Sequence, residues 1–192
     1  MRSDYPRTST RRSWLVGVAA VALLAGCGGA EPVVVVRQAA NNPLRGAKRF
    51  KVAPVTWEGL TMEGKPEADW LAGRTPEQRA SWENDKVQAT PKMLERFQVE
   101  KKEDESFEAL VGAPQKGDLI IHIHVSSYVD PFFFTTVEIR DGEGQVIDVV
   151  RPPKRGGGWG LAMHLNAMRV LVPIDVIRYL RERSAGSPSP QG

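Results

Sequence analysis

The sequence predicts an α+β fold of two layers, an antiparallel meander sheet packed with helices, spanning residues 48–183. Three observations predict it. Residues 118–151 alternate apolar and polar side chains in three runs divided by turn residues, the period-two pattern of strands with one buried face. Thr75-Pro76-Glu77-Gln78 has the form of a helix start, and apolar residues follow it at helical spacing. Residues 161–183 are apolar on most sides, as a helix laid against a sheet must be.

Taken in order, the first fourteen residues are polar and carry Arg2, Arg7, Arg11 and Arg12 against a single acid, Asp4. Residues 15–25, LVGVAAVALLA, then form an apolar run that fits the core of an export signal and is well short of the ~20 residues that span a bilayer. The run ends in Leu24-Ala25-Gly26-Cys27, which resembles the lipobox of bacterial lipoproteins. The resemblance implies cleavage after Gly26, diacylglyceryl attachment to the Cys27 sulfur and acylation of the new amino group. At ~0.8 kcal/mol per buried methylene, one acyl chain holds only marginally, whereas several make the tether effectively permanent. Thr10-Arg11-Arg12-Ser13-Trp14-Leu15 is also similar to a twin-arginine export motif, with Trp14 where phenylalanine is usual; an ordinary charged leader holding paired arginines is the simpler reading.

Other uses of Cys27, the one cysteine in the chain, fare worse. A nucleophilic thiol needs a base and a packed pocket, and its neighbours are Gly26, Gly28, Gly29 and Ala30. It has no second cysteine for an intramolecular disulfide. Gly28 and Gly29 follow without an aspartate, which by resemblance to enterobacterial sorting implies the outer membrane, facing the periplasm. Removing residues 1–26 leaves 166 residues with 22 positive and 22 negative charges, so the basic character of the whole chain belongs to the leader and argues against nucleic acid as a partner. The expected organisation is a signal at 1–26, an anchor and tether at 27–47, the domain at 48–183 and a tail at 184–192.

Within the mature chain, Val33–Val36 reads as an edge strand broken by Asn41-Asn42-Pro43. Residues 51–57 read as a second strand, which Pro54 places at an edge or bulge. The helix from Thr75 presents Trp82, Ala89, Met93 and Phe97 on one face, and Pro91 is expected to kink or divide it. The run EKKEDE, residues 100–105, reads as a solvated helix end. In residues 118–130, Leu119, Ile121, Ile123, Val125, Ser127 and Val129 are assigned to one face, and Ile120, His122, His124, Ser126 and Tyr128 to the other. Residues 132–140 and 145–151 flank Asp141-Gly142-Glu143-Gly144 as a hairpin. A breaker-rich loop, RPPKRGGGWG, leads to the apolar helix, which Pro173 is expected to split.

Three groups invite functional readings. His122 and His124, two apart on one strand face, have a spacing that lets imidazoles converge on a metal; His164 is the third histidine, and Asp130 or Asp148 would be needed to complete a set. Half-buried strand histidines are the simpler alternative. Gly156, Gly157, Gly158 and Gly160, beside Lys154 and Arg155, suit a phosphate or lipid headgroup at a helix start, or a plain turn. Phe132, Phe133 and Phe134 cannot share one face, so either both faces of the sheet are covered or one offers an apolar patch to a partner.

The order of elements over residues 48–183 is similar to that of small periplasmic lipoproteins whose globular part has the fold of the TolB amino-terminal domain. The resemblance implies an accessory or assembly subunit of an envelope machine. The expectation is therefore a non-catalytic, membrane-anchored lipoprotein without a cofactor, held by Cys27 and binding a protein partner or itself through Phe132, Phe133 and Phe134. The alternative is a periplasmic ligand- or metal-binding lipoprotein using His122 and His124.

Overall fold

The structure is a computed structural model that describes residues 31–156 and 158–186. Gly26, Cys27, Gly28, Gly29, the rest of the leader, Gly157 and residues 187–192 lie outside the described residues. The elements run β1 (Val34–Gln38), β2 (Arg49–Val52), β3 (Thr61–Met62), β4 (Lys65–Pro66), α1 (Glu67–Ala72), α2 (Pro76–Glu100), β5 (Ser106–Ala109), β6 (Leu119–Val129), β7 (Phe132–Asp141), β8 (Val146–Arg151) and α3 (Leu161–Ser184). The fold is α+β.

The sheet is mixed, not wholly antiparallel. Its order is β1-β8-β7-β6-β2-β5, with β3 also paired to β6. The expected meander is present as β6, β7 and β8, and β1 extends it antiparallel to β8. Beyond β6 the pairing turns parallel, because α2 lies between β2 and β5 in the chain and a helical crossover returns the next strand in the same direction. The folded unit also begins earlier than residue 48. Val34 pairs with Arg151, and Leu44 is fully buried, so much of the expected tether is part of the domain.

One cluster forms the core. Ile121, Ile123 and Val125 of β6, Phe133, Val137 and Ile139 of β7, and Phe107 of β5 join Trp82, Ala89, Met93 and Phe97 of α2. Leu165, Met168, Val172 and Val176 of α3 complete it. The start of α2 follows its sequence signature: Gln78 N–H donates to Thr75 Oγ1 at 3.3 Å, and Thr75 N–H donates to Gln78 Oε1 at 3.0 Å. Neither internal proline divides its helix. Pro91 is exposed and leaves its unmatched Val87 carbonyl on a water-facing side, where solvent replaces the missing donor. Pro173 lies within α3 as a buried packing residue.

Two further expectations are corrected. Strand β2 stops at Val52, and pairing with β6 resumes at Thr56, whose N–H donates to Ile123 O at 3.0 Å; Pro54 thus marks a bulge, with Val55 N–H given instead to Thr90 Oγ1 at 2.9 Å. Glu105 is not solvated. It is buried and accepts from Arg181 Nε at 2.8 Å and from Lys102 N–H at 2.8 Å, because α3 brings a guanidinium to the end of α2.

The last turn of α3 holds the segment after β1. Arg183 Nη2 donates to Ala39 O at 3.0 Å, Ser184 Oγ to Ala47 O at 3.0 Å, and Asn42 Nδ2 to Arg183 O at 2.9 Å. Beneath this clamp, Asp148 of β8 accepts from Arg183 Nε at 2.9 Å, Tyr179 O–H at 2.7 Å and Ala39 N–H at 2.8 Å.

Candidate functional site

The candidate residues of the sequence separate onto two surfaces. On the face of β6 away from the helices stand His122 and His124. His122 is paired in register with Glu138 and His124 with Thr136. Glu138 is taken up by Arg140, whose Nε donates to it at 2.9 Å, and His124 Nδ1 lies 3.1 Å from Thr56 Oγ1. The His122 imidazole is held below its ordinary range, first by burial and then by the Arg140 charge, with Glu138 opposing. Both histidines share one face as the alternation requires, but the residues that would complete a metal set go elsewhere. Asp148 points into the helix side, and Asp130 and His164 meet at the end of the β6–β7 hairpin. Among the described residues, no group of three histidine, cysteine or carboxylate side chains is placed to hold a metal.

The second surface is that hairpin end, and a bulge in β6 creates it. The register with β7 shifts between Val125 and Ser127, so the alternation slips by one residue. Tyr128 therefore turns to the core side, opposite to the face expected from strict alternation, and packs on Phe133 with ring centroids 4.7 Å apart. Its hydroxyl donates to Asp130 Oδ1 at 2.7 Å and lies 2.9 Å from His164 Nδ1. His164 Nε2 is 3.3 Å from the Gly158 carbonyl, which can only accept, so Nε2 carries a proton. Burial, followed by the hydrogen bond to the Asp130 carboxylate, pushes the ionisation of Tyr128 upward. Asp130 N–H donates in turn to Glu63 Oε1 at 2.9 Å. The network ties the hairpin, the β3–β4 turn and the start of α3 together.

The phenylalanine triplet divides at this end. Phe133 is fully buried, Phe132 is half-buried with Lys154 Nζ 4.8 Å from its ring centre, and Phe134 is exposed on the outer face. The helices cover one side only, so the reading in which both sheet faces are covered does not hold at Phe134. The glycine loop reaches the same place. Phe133 and Arg155 exchange backbone hydrogen bonds at 2.8 and 3.2 Å, and Arg155 Nε donates to Asp175 at 2.9 Å. A Cβ on Gly156 would lie 1.6 Å from Pro131 O, so this glycine is required by close backbone approach and not by a ligand.

Neither the Tyr128–Asp130–His164 network nor the exposure of Trp159 was among the sequence expectations. The bulge that brings Tyr128 inward has no signal beyond the Ser126-Ser127 pair, which looks like any polar stretch of strand. A second aromatic group also escaped notice: Trp57 and Trp70 pack edge-on against Trp82 at 5.8 and 5.9 Å, and Arg74 lies 4.2 Å over Trp70 beside a cavity of about 290 Å³. At the far end of the domain a cavity of about 260 Å³ opens between Phe50, Phe107, Ile177 and Leu180, rimmed by Lys48 and Arg181.

No family model matches the chain, and no curated protein matches it. Among solved structures it is similar to a PelC dodecamer from Paraburkholderia phytofirmans, with 16% identity and a TM-score of 0.37 over 74% of this chain and 95% of that chain. A likeness this distant does not bear on what the chain does.

Proposed function

We propose that this protein is a non-catalytic lipoprotein of the cell envelope, anchored through Cys27, that serves as an accessory or assembly subunit by binding a protein partner or itself. The observation that carries the reading is the leader: an apolar run of signal length with basic flanks, closed by Leu24-Ala25-Gly26-Cys27. The fold is consistent with it. A folded unit starts at Pro32, a few residues after the cysteine, and among its described residues no helix is long and apolar enough to cross a membrane. Tyr128 with Asp130 and Arg183 with Asp148 are hydrogen-bonded to each other, while Phe134 is presented outward.

The test has two parts. Mass spectrometry of the native protein is expected to show a chain beginning at acylated Cys27; a bare thiol or an intact leader overturns the anchor. A photo-crosslinker in place of Phe134 is expected to trap a protein in the envelope, and the same group at buried Phe133 is not. Equal labelling from both positions, or none from Phe134, counts against the assembly role.

A further inference from the structure

The start of β1 and the hairpin end of the sheet lie toward the same side of the domain. Val34 is level with Arg151, and therefore with Thr136 on β7, which places the hairpin turn at Pro131 five residues further out along the strand direction. At ~3.3 Å per residue this is roughly 17 Å beyond Val34. Cys27 stands seven positions before Val34, a span that reaches at most about 25 Å when fully extended. The two lengths differ by roughly 8 Å, so a lipid on Cys27 permits the hairpin end to reach the membrane surface.

That same end carries the exposed soft and aromatic residues. Among the described residues, the large exposed hydrophobics other than valine are Trp159, at 93% exposure, Met163 and Phe134, and all three are here together with Val129. Trp159 follows Gly158, whose carbonyl is held by His164, and its N–H lies 3.4 Å from Met163 Sδ. A tryptophan this exposed removes its ring from water only against another surface, and the headgroup region of a bilayer is where indole is favoured. The surrounding charges are mixed. Arg151 and Lys154 are exposed, as are Asp130 and Glu63, which are joined by the Asp130 N–H.

We propose that this end of the domain, with Trp159 and Met163 as its inserting side chains, seats on the membrane as a second contact beside the lipid. The inference rests on the reading of Cys27 as lipid-bearing. Because the local charges offset one another, the contact is apolar in origin and does not depend on anionic lipid.

The experiment uses the full lipoprotein, first weighed to establish acylation and then reconstituted in phosphatidylcholine vesicles with or without brominated acyl chains. Removal of the leader takes Trp14 and leaves four tryptophans, so brominated lipid is expected to quench up to about a quarter of the emission. Trp159→Tyr, a change at an exposed position, is expected to abolish that quenching while Trp57, Trp70 and Trp82 emit as before. Acylated protein with no quenching overturns the seating and leaves the anchor standing. A Trp159 emission that is shielded from water yet unquenched overturns it in favour of a second copy of the chain. A bare thiol at Cys27 removes both readings together.

Discussion

At the scale of single residues, the interior charges carry the sharpest consequences. Asp148 is completely buried and is the common acceptor for Arg183, Tyr179 and Ala39 N–H. Asp148→Ala strands a buried guanidinium, and the expected cost is about 3–5 kcal/mol in denaturant unfolding. Glu105 gives a pH dependence. The Arg181 hydrogen bonds draw its carboxyl down to about 2 against the opposing effect of burial. A lowered folded-state value stabilises above the unfolded one, so this contribution is complete at neutral pH and is lost as pH falls from about 4.5 to about 2. It amounts to roughly 2–3 kcal/mol, with Arg181 half-exposed and partly screened. Acid titration of stability is expected to be shallower in Glu105→Gln over that interval; an unchanged acid limb would remove Glu105 from the account. Sequence reading placed Glu105 in solvent because a run of mixed charges normally is, and the arginine that buries it comes from 76 residues away.

At the scale of elements, patterns set by neighbours in the chain were legible, and patterns set by distant pairing were not. The Thr75 capping box, the apolar face of α2 and the β6–β7–β8 meander follow from local spacing and turn chemistry. Phe97, named from that spacing, is fully buried and stacks on Phe107 at 5.0 Å between centroids. Phe97→Ala is expected to cost about 3–5 kcal/mol, read as a lowered midpoint in urea; a loss below about 1 kcal/mol would mean the helix does not pack as described. The parallel half of the sheet was not legible, because strand direction depends on how a crossover closes and leaves no mark in alternation. The β6 bulge reversed the facing of Tyr128 for the same reason. Of the site residues, His122 and His124 were correctly put on one face, whereas the partners their metal reading required belong to the other side of the sheet.

At the scale of the whole molecule, β1 and α3 are mutually dependent although the sequence separates them by more than a hundred residues. The loop after β1 is held by Arg183 and Ser184, and among the described residues β1 itself pairs only with β8. Removing residues 181–192 is expected to expose the bonds near residues 39–47 to limited proteolysis while the β6–β7 hairpin stays protected; equal resistance in both chains would show that the clamp is dispensable. The clamp also fixes a timetable for the nascent polypeptide. Residues 34–47 cannot settle until α3 has emerged from the ribosome, so they remain slack through most of the synthesis of the domain.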